Sequence, residues 1–271
     1  MSRYLGAADV QAIQNLLSAE RLATFRGLTT SGSPEDAVEL HQATMSLGVS
    51  IMAVTGLIEI SLRNAVCHAM NNNFGGNHWL RTPPPNPFKW ASLEVSLIST
   101  ATKQAQRAAY SKMTGAQKNA LDAKAYPNGV PPDAKHRTIA KKRQSTITVP
   151  DSQVIAQLTI HFWKRMFSEN YEQTLWKPAL KTVFPNKTLS RSDVAEQLEV
   201  VYEMRNRLAH HEPVYGARLD RILQAIDFVT LNLCSRKPTL ENPFAKLIMP
   251  QRDLLHGQVA IFWATFERLS P

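Results

Sequence analysis

The chain has 271 residues, 44% of them hydrophobic and 20% charged, which fits a folded globular protein and excludes a disordered or fibrous one. Net charge is +9, with a pI near 9.7. Two cysteines, Cys67 and Cys234, without a CxxC pair exclude a disulfide framework and a zinc knuckle, and read as buried free thiols.

Helical periodicity dominates. Apolar residues at Val10, Ile13, Leu16, Leu17, Leu22 and Ala23 predict a helix over 8–25. Ser33, Pro34, Glu35 and Asp36 form a helix start, and the helix they open runs to about residue 71, with a kink or break placed near Gly48. Four prolines between 81 and 87 make an extended loop. A helix over 92–126, divisible at Gly115, is stopped by Tyr126-Pro127-Asn128-Gly129. Further helices are predicted over 151–167, 190–211, 213–233 and 250–269, and the one strand candidate is Thr146 to Val149. The fold class is therefore all-α, a single domain spanning 1–271 with a basic insertion at 101–150. No run reaches the roughly 18 uninterrupted apolar residues of a membrane span, and the N-terminal sequence lacks a hydrophobic signal core, so no membrane is expected and the cytoplasm is.

Charge is unevenly placed. Between residues 101 and 146 stand ten Lys or Arg and two acids, almost the whole net excess, and such a concentration points to a polyanion, RNA first. Lys135, Arg137, Lys141, Lys142 and Arg143 are the candidate RNA-backbone contacts, with Tyr126 and His136 as nearby stacking groups. Whether this segment is ordered is open at this point. Phe162, Trp163, Phe167 and Trp176 have the spacing of core residues more than of a base-stacking platform.

The segment Arg205-Asn206-Arg207-Leu208-Ala209-His210-His211-Glu212-Pro213 carries the chemistry. Arg offers a permanent forked charge that matches a phosphate, and His exchanges protons near neutral pH. On a continuous helix Arg205 and His210 point to different faces. Pro213 disfavours helical geometry at Glu212, so the helix is expected to unwind near His210 and swing it towards Arg205, with free carbonyls beside the imidazole. Cleavage of RNA without metal needs a base, an acid and positive charge. One Arg–His pair is thin for that, and a two-fold dimer would double it. No HExxH, phosphate-binding loop, dinucleotide turn or nucleophile elbow is present, and the remaining histidines, His41 among them, do not cluster at ligand spacing.

RNRLAHHEPV resembles the Arg–His signature of the HEPN superfamily. The flanking HFWKRMFSENYEQTLWKPALKTVFP and LEVVYEMRNRLAHHEP, and the earlier GLIEISLRNAV with Glu59, Arg63 and Asn64, are similar to its Abi-like (abortive infection) branch. The likeness spans about 17–81 and 154–215. It implies a helical bundle that dimerises around the Arg–His helices and a metal-independent, cofactor-free endoribonuclease leaving a cyclic phosphate. A toxin of phage defence or of a toxin–antitoxin system, with an RNA or protein antitoxin, is the implied setting. Arg205 would grip the scissile phosphate, His210 would be the acid/base, and Asn206 would orient phosphate or His. His211 is either the acid/base itself or a packing neighbour. Glu59 and Arg63, four apart, form a surface pair or meet the Arg205 helix. Two other readings stand beside this one: a non-catalytic RNA-binding module, and a structural, partner-binding helical protein.

Overall fold

The structure, a computed structural model, describes residues 6–76, 78–82 and 88–270, and over them the chain is all-α with no strand. The prolines at 83–85 and 87 lie outside the described residues. The helices in chain order are α1 (Ala7–Leu17), α2 (Ala19–Arg26), α3 (Pro34–Asn73), α4 (Ser92–Ser111), α5 (Gly115–Ala120), α6 (Asp122–Ala125), α7 (His136–Ser145), α8 (Asp151–Ile155), α9 (Ile160–Arg165), α10 (Arg191–Ala209), α11 (Ala217–Asn232) and α12 (Pro243–Leu269). Two compact units divide the chain: residues 1–62 with 184–271, and residues 63–183, so the division falls within α3.

In the first unit α3 supplies the central buried row, Leu47, Ile51, Val54, Ile58 and Leu62, at the i, i+4, i+7 spacing of one helix face. Ser33 caps it, accepting a bond from the Asp36 amide at 3.1 Å, as its sequence predicts. Gly48 does not break the helix. A Cβ there would stand 3.0 Å from Leu208 Cδ2, so the glycine lets α10 approach α3 closely. By length and composition α3 holds a stretch apolar enough to cross a membrane, of mean hydropathy 1.8 and 39% buried. The helix predicted over 8–25 is two helices, because Ser18 takes φ 66° and its hydroxyl accepts from the Arg21 amide at 3.4 Å, restarting the chain as a cap. The last helix begins seven residues before the expected Pro250. Asn242 caps it through Ala245 N at 2.7 Å with Pro243 in its first turn, and Pro250 sits in its interior. Packing of α10 on α11 and of α11 on α12 completes this unit around Val194, Leu198, Val201, Ile222, Ile226 and Ile248.

The second unit is built on aromatics. Trp90 packs edge-on to Phe88 at 4.5 Å and lies 5.4 Å from Phe162 and 5.8 Å from Tyr171. Phe162, Trp163, Phe167 and Trp176 are all buried, so these rings form core. The helix predicted over 151–167 is broken into α8 and α9. Thr146 to Val149 forms no strand: Thr146 is the αR C-cap of α7, Ile147 and Val149 are buried, and the carbonyls of those two are taken by side chains, Gln106 Nε2 at 3.0 Å and Arg81 Nη2 at 2.8 Å. The long helix predicted from 92 stops at Ser111 and restarts at Gly115, where Thr114 and Gln117 make a reciprocal capping box. The most basic stretch of the chain is helical, as α7.

Candidate functional site

The Arg–His segment lies at the end of α10, in the first unit. Ser190 and Asp193 cap the start reciprocally, at 3.2 and 2.8 Å, and Val194, Leu198, Val201 and Met204 bury one face. That anchored face fixes where the remaining residues point. Arg205 follows Met204 around the helix, with its side chain 32% exposed and Nη2 lying 3.8 Å from Glu59 Oε2 on α3. Of the two sequence readings of Glu59, contact with the Arg205 helix is the one found. At 3.8 Å the pair is loose, and it engages one of the five guanidinium donors at most.

The helix ends where expected, at Ala209 with His210 as its C-cap, but it closes tightly and does not unwind. The His210 amide bonds to the Asn206 and Arg207 carbonyls, His211 N to Leu208 O at 2.9 Å, and Glu212 N to Arg207 O at 2.8 Å. The last two bonds define a Schellman closure, with His211 in the left-handed position at φ 56°, where glycine is usual. The Glu212 carboxylate reinforces the turn through Arg207 Nη2 at 2.7 Å. The carbonyls expected beside the imidazoles are therefore occupied by backbone donors. Helical phasing persists to the end, so Arg205 and His210, five residues apart, stay about 140° apart around the axis. They do not converge within one chain. Asn206 is half-buried, and His210 and His211 are both exposed.

Beside this end opens a cavity of about 650 Å³ whose walls include Arg21, His41, Met45, Gly48, Leu208 and His211. It takes His211 and not His210. Arg21 bridges to the motif, Nη1 donating to the His211 carbonyl at 3.1 Å. His41 is only 8% exposed, stacked edge-on to Phe25 at 5.1 Å, and its pKa is lowered by burial and by the nearby Arg21 charge. Both non-glycine residues that flank the cavity with positive φ, Ser18 and His211, sit on its lining. Sequence reasoning set His41 aside and passed over Arg21. Only the packing of α2 against α3 reveals them, since neither belongs to a local motif.

Arg63 belongs to the second unit, where with Asn64, Cys67, His78 and Asp151 it lines a cavity of about 580 Å³. The Cys67 thiol there is pushed up to about 11, chiefly by burial, so it is no nucleophile at neutral pH. Cys234, read as buried, is exposed just past the end of α11. On α7 the side towards the protein carries Ile139, Ala140, Arg143 and Gln144, and the solvent face carries Arg137, Lys141 and Lys142, with Lys135 as the residue before the helix. Arg143, one of the expected RNA contacts, is engaged within the chain. Both arms of its guanidinium grip Asp122, at 2.7 and 2.5 Å, which ties α7 to α6 and holds the carboxyl below its usual range. No group of three or more potential metal ligands occurs among the described residues.

No protein-family model, curated protein or solved structure matches the chain.

Proposed function

We propose that this chain is a metal-independent endoribonuclease of the HEPN type, a helical bundle with a basic insertion, that acts in the cytoplasm as a toxin of phage defence or of a toxin–antitoxin system. The observation that carries the reading is the pair of exposed histidines on a rigid, Schellman-closed helix end, with a loosely paired Arg205 one turn earlier. One histidine removes the proton of a ribose 2′-hydroxyl, whose oxygen bonds to phosphorus. The P–O5′ bond breaks, a second imidazole protonates the leaving oxygen, and a cyclic phosphate and a 5′-hydroxyl remain. Arg205 neutralises the phosphorane oxygens, Asn206 orients them, and Glu59 holds Arg205 in place.

The 140° divergence of Arg205 and His210 supports a homodimer, in which the Arg of one copy meets a His of the other. Lys135, Arg137, Lys141 and Lys142 supply backbone contacts to RNA. An RNA or protein antitoxin is the expected partner. The purified protein, incubated with total RNA in EDTA, should cut RNA, whereas Arg205→Ala and the doubly changed His210→Ala/His211→Ala should not. The proposal fails if the wild type cuts no better than these variants.

The solvent-facing cations of α7 favour one other reading, a non-catalytic RNA-binding module. That reading predicts binding that weakens steeply with salt, survives loss of both histidines, and loses salt slope when the four cations are neutralised.

A further inference from the structure

The cavity beside the motif is lined by one histidine besides His211, His41. The His41 ring makes no hydrogen bond among the described residues, although the residue is only 8% exposed. His41 lines an open space of about 650 Å³, within the range of small-molecule sites.

The geometry points to a nucleobase pocket: a single unstacked base of the RNA, next to the scissile phosphate, inserts into this cavity and is read along its edge by His41. The inference rests on the phosphodiester reading of the neighbouring helix end. Three features favour a base over other occupants. Burial and the Arg21 charge keep His41 neutral, so its ring offers a donor at one nitrogen and an acceptor at the other, and either can pair with a polar atom of a base edge. Met45, Met52, Phe25, Leu208 and Pro213 give the flat, polarisable, apolar walls on which a heteroaromatic ring packs. Glu20 and Glu212 also line the space and oppose an anionic ligand, such as a fatty acid, within it. A neutral ring escapes that repulsion while its phosphate stays outside, at the Arg21–His211 rim. His211 then stands where pocket and reaction meet, which favours it over His210 as the proton-transferring residue.

The test is calorimetric titration of the full chain with adenosine, guanosine, cytidine and uridine 3′-monophosphates. At least one should bind, with affinity reduced at least tenfold by His41→Ala and by Met45→Trp, which fills the mouth from a partly exposed position. Circular dichroism of both variants checks that the fold is kept. In parallel, His41→Ala should redistribute the bases at the cut sites of a mixed-sequence RNA. Absence of binding by all four nucleotides at millimolar concentration overturns the inference, as does binding that neither variant changes or that an apolar helical peptide alone can replace. The two proposals fail separately. His41-dependent nucleotide binding without RNA cleavage keeps the pocket and removes the nuclease. Cleavage without nucleotide binding does the reverse.

Discussion

Two polar centres of this protein are built on opposite plans. In the second unit the Glu94 carboxylate is wholly buried, and every contact it needs is present: Arg165 Nε donates to one oxygen and the Tyr171 hydroxyl donates to the other at 3.0 Å. The same hydroxyl accepts the Ala91 amide at 3.0 Å, and burial raises its pKa to about 12. At the end of α10 in the first unit, Arg205 has one loose partner, His210 and His211 face solvent, and a left-handed residue stores strain. A closed network specifies a fold, because each member stabilises the others. An incompletely paired cluster on a rigid frame keeps its donors for something outside the chain. The contrast assigns structure to the first, and on the proposed function it leaves the second for chemistry.

The sharpest way to break that contrast is Glu94→Ala. It leaves Arg165 and the Tyr171 hydroxyl without their buried partner and should destabilise the protein by about 3–5 kcal/mol in urea unfolding. Arg205→Ala should change stability by less than about 1 kcal/mol, because its one ion pair is partly exposed and long. If the two variants unfold at similar urea concentrations, the division between structural and chemical polar groups does not hold here. Gly48→Val follows in size. Its added bulk meets Leu208 at the α3–α10 contact, for a loss of about 1–3 kcal/mol. Leu208→Ala in the same chain should recover part of that loss if the contact is the cause.

The sequence made the helices legible where local chemistry decides them. Ser33-Pro34 and Ser190 mark their helix starts, and the apolar rows of α3 and α10 follow from period alone. It misled where tertiary partners decide. Thr146 to Val149 has strand residues but no neighbouring strand among the described residues, and Pro250 reads locally as a helix start although the Asn242-Pro243 cap opens the helix upstream. The same split runs through the site. Arg205, Asn206 and the two histidines stand out as a local string, and Glu59 as a helix neighbour. Arg143 looked like its basic neighbours until its acid partner 21 residues earlier was in view. His41 and Arg21 carry no local mark, because their relation to His211 exists only after α2 and α3 pack.

A smaller effect of opposite sign tests the strain at the helix end. His211→Gly removes the penalty of a left-handed non-glycine residue, offset in part by glycine's greater freedom when unfolded. The net gain should be about 0.5–1 kcal/mol. For a chain of this size the melting temperature should rise by roughly 1–3 °C, while RNA cleavage falls. Stability gained together with activity lost is the signature of a residue kept for chemistry against its backbone preference. A melting temperature that falls would mean that the imidazole, and not the backbone geometry, holds this turn together.

The smallest effect is read from pH. His41 has a folded pKa below its ordinary value of 6.5, so the unfolded chain takes up its proton first as pH falls. The stability tied to neutral His41 is thus fully present above pH 6.5 and is lost progressively as pH drops towards the folded value. The charged and titratable groups that line the same cavity are Arg21 and Glu20 from α2 and His211 and Glu212 beyond α10. Urea midpoints measured from pH 7.5 to 5 should fall more steeply for the wild type than for His41→Gln, which keeps a polar edge but does not titrate there. A saturating nucleotide that hydrogen-bonds the neutral ring should steepen the wild-type curve further and leave that of His41→Gln unchanged. Identical slopes in the two proteins would show that His41 is no more averse to charge than a surface histidine, and would remove the physical basis for a neutral base-reading edge.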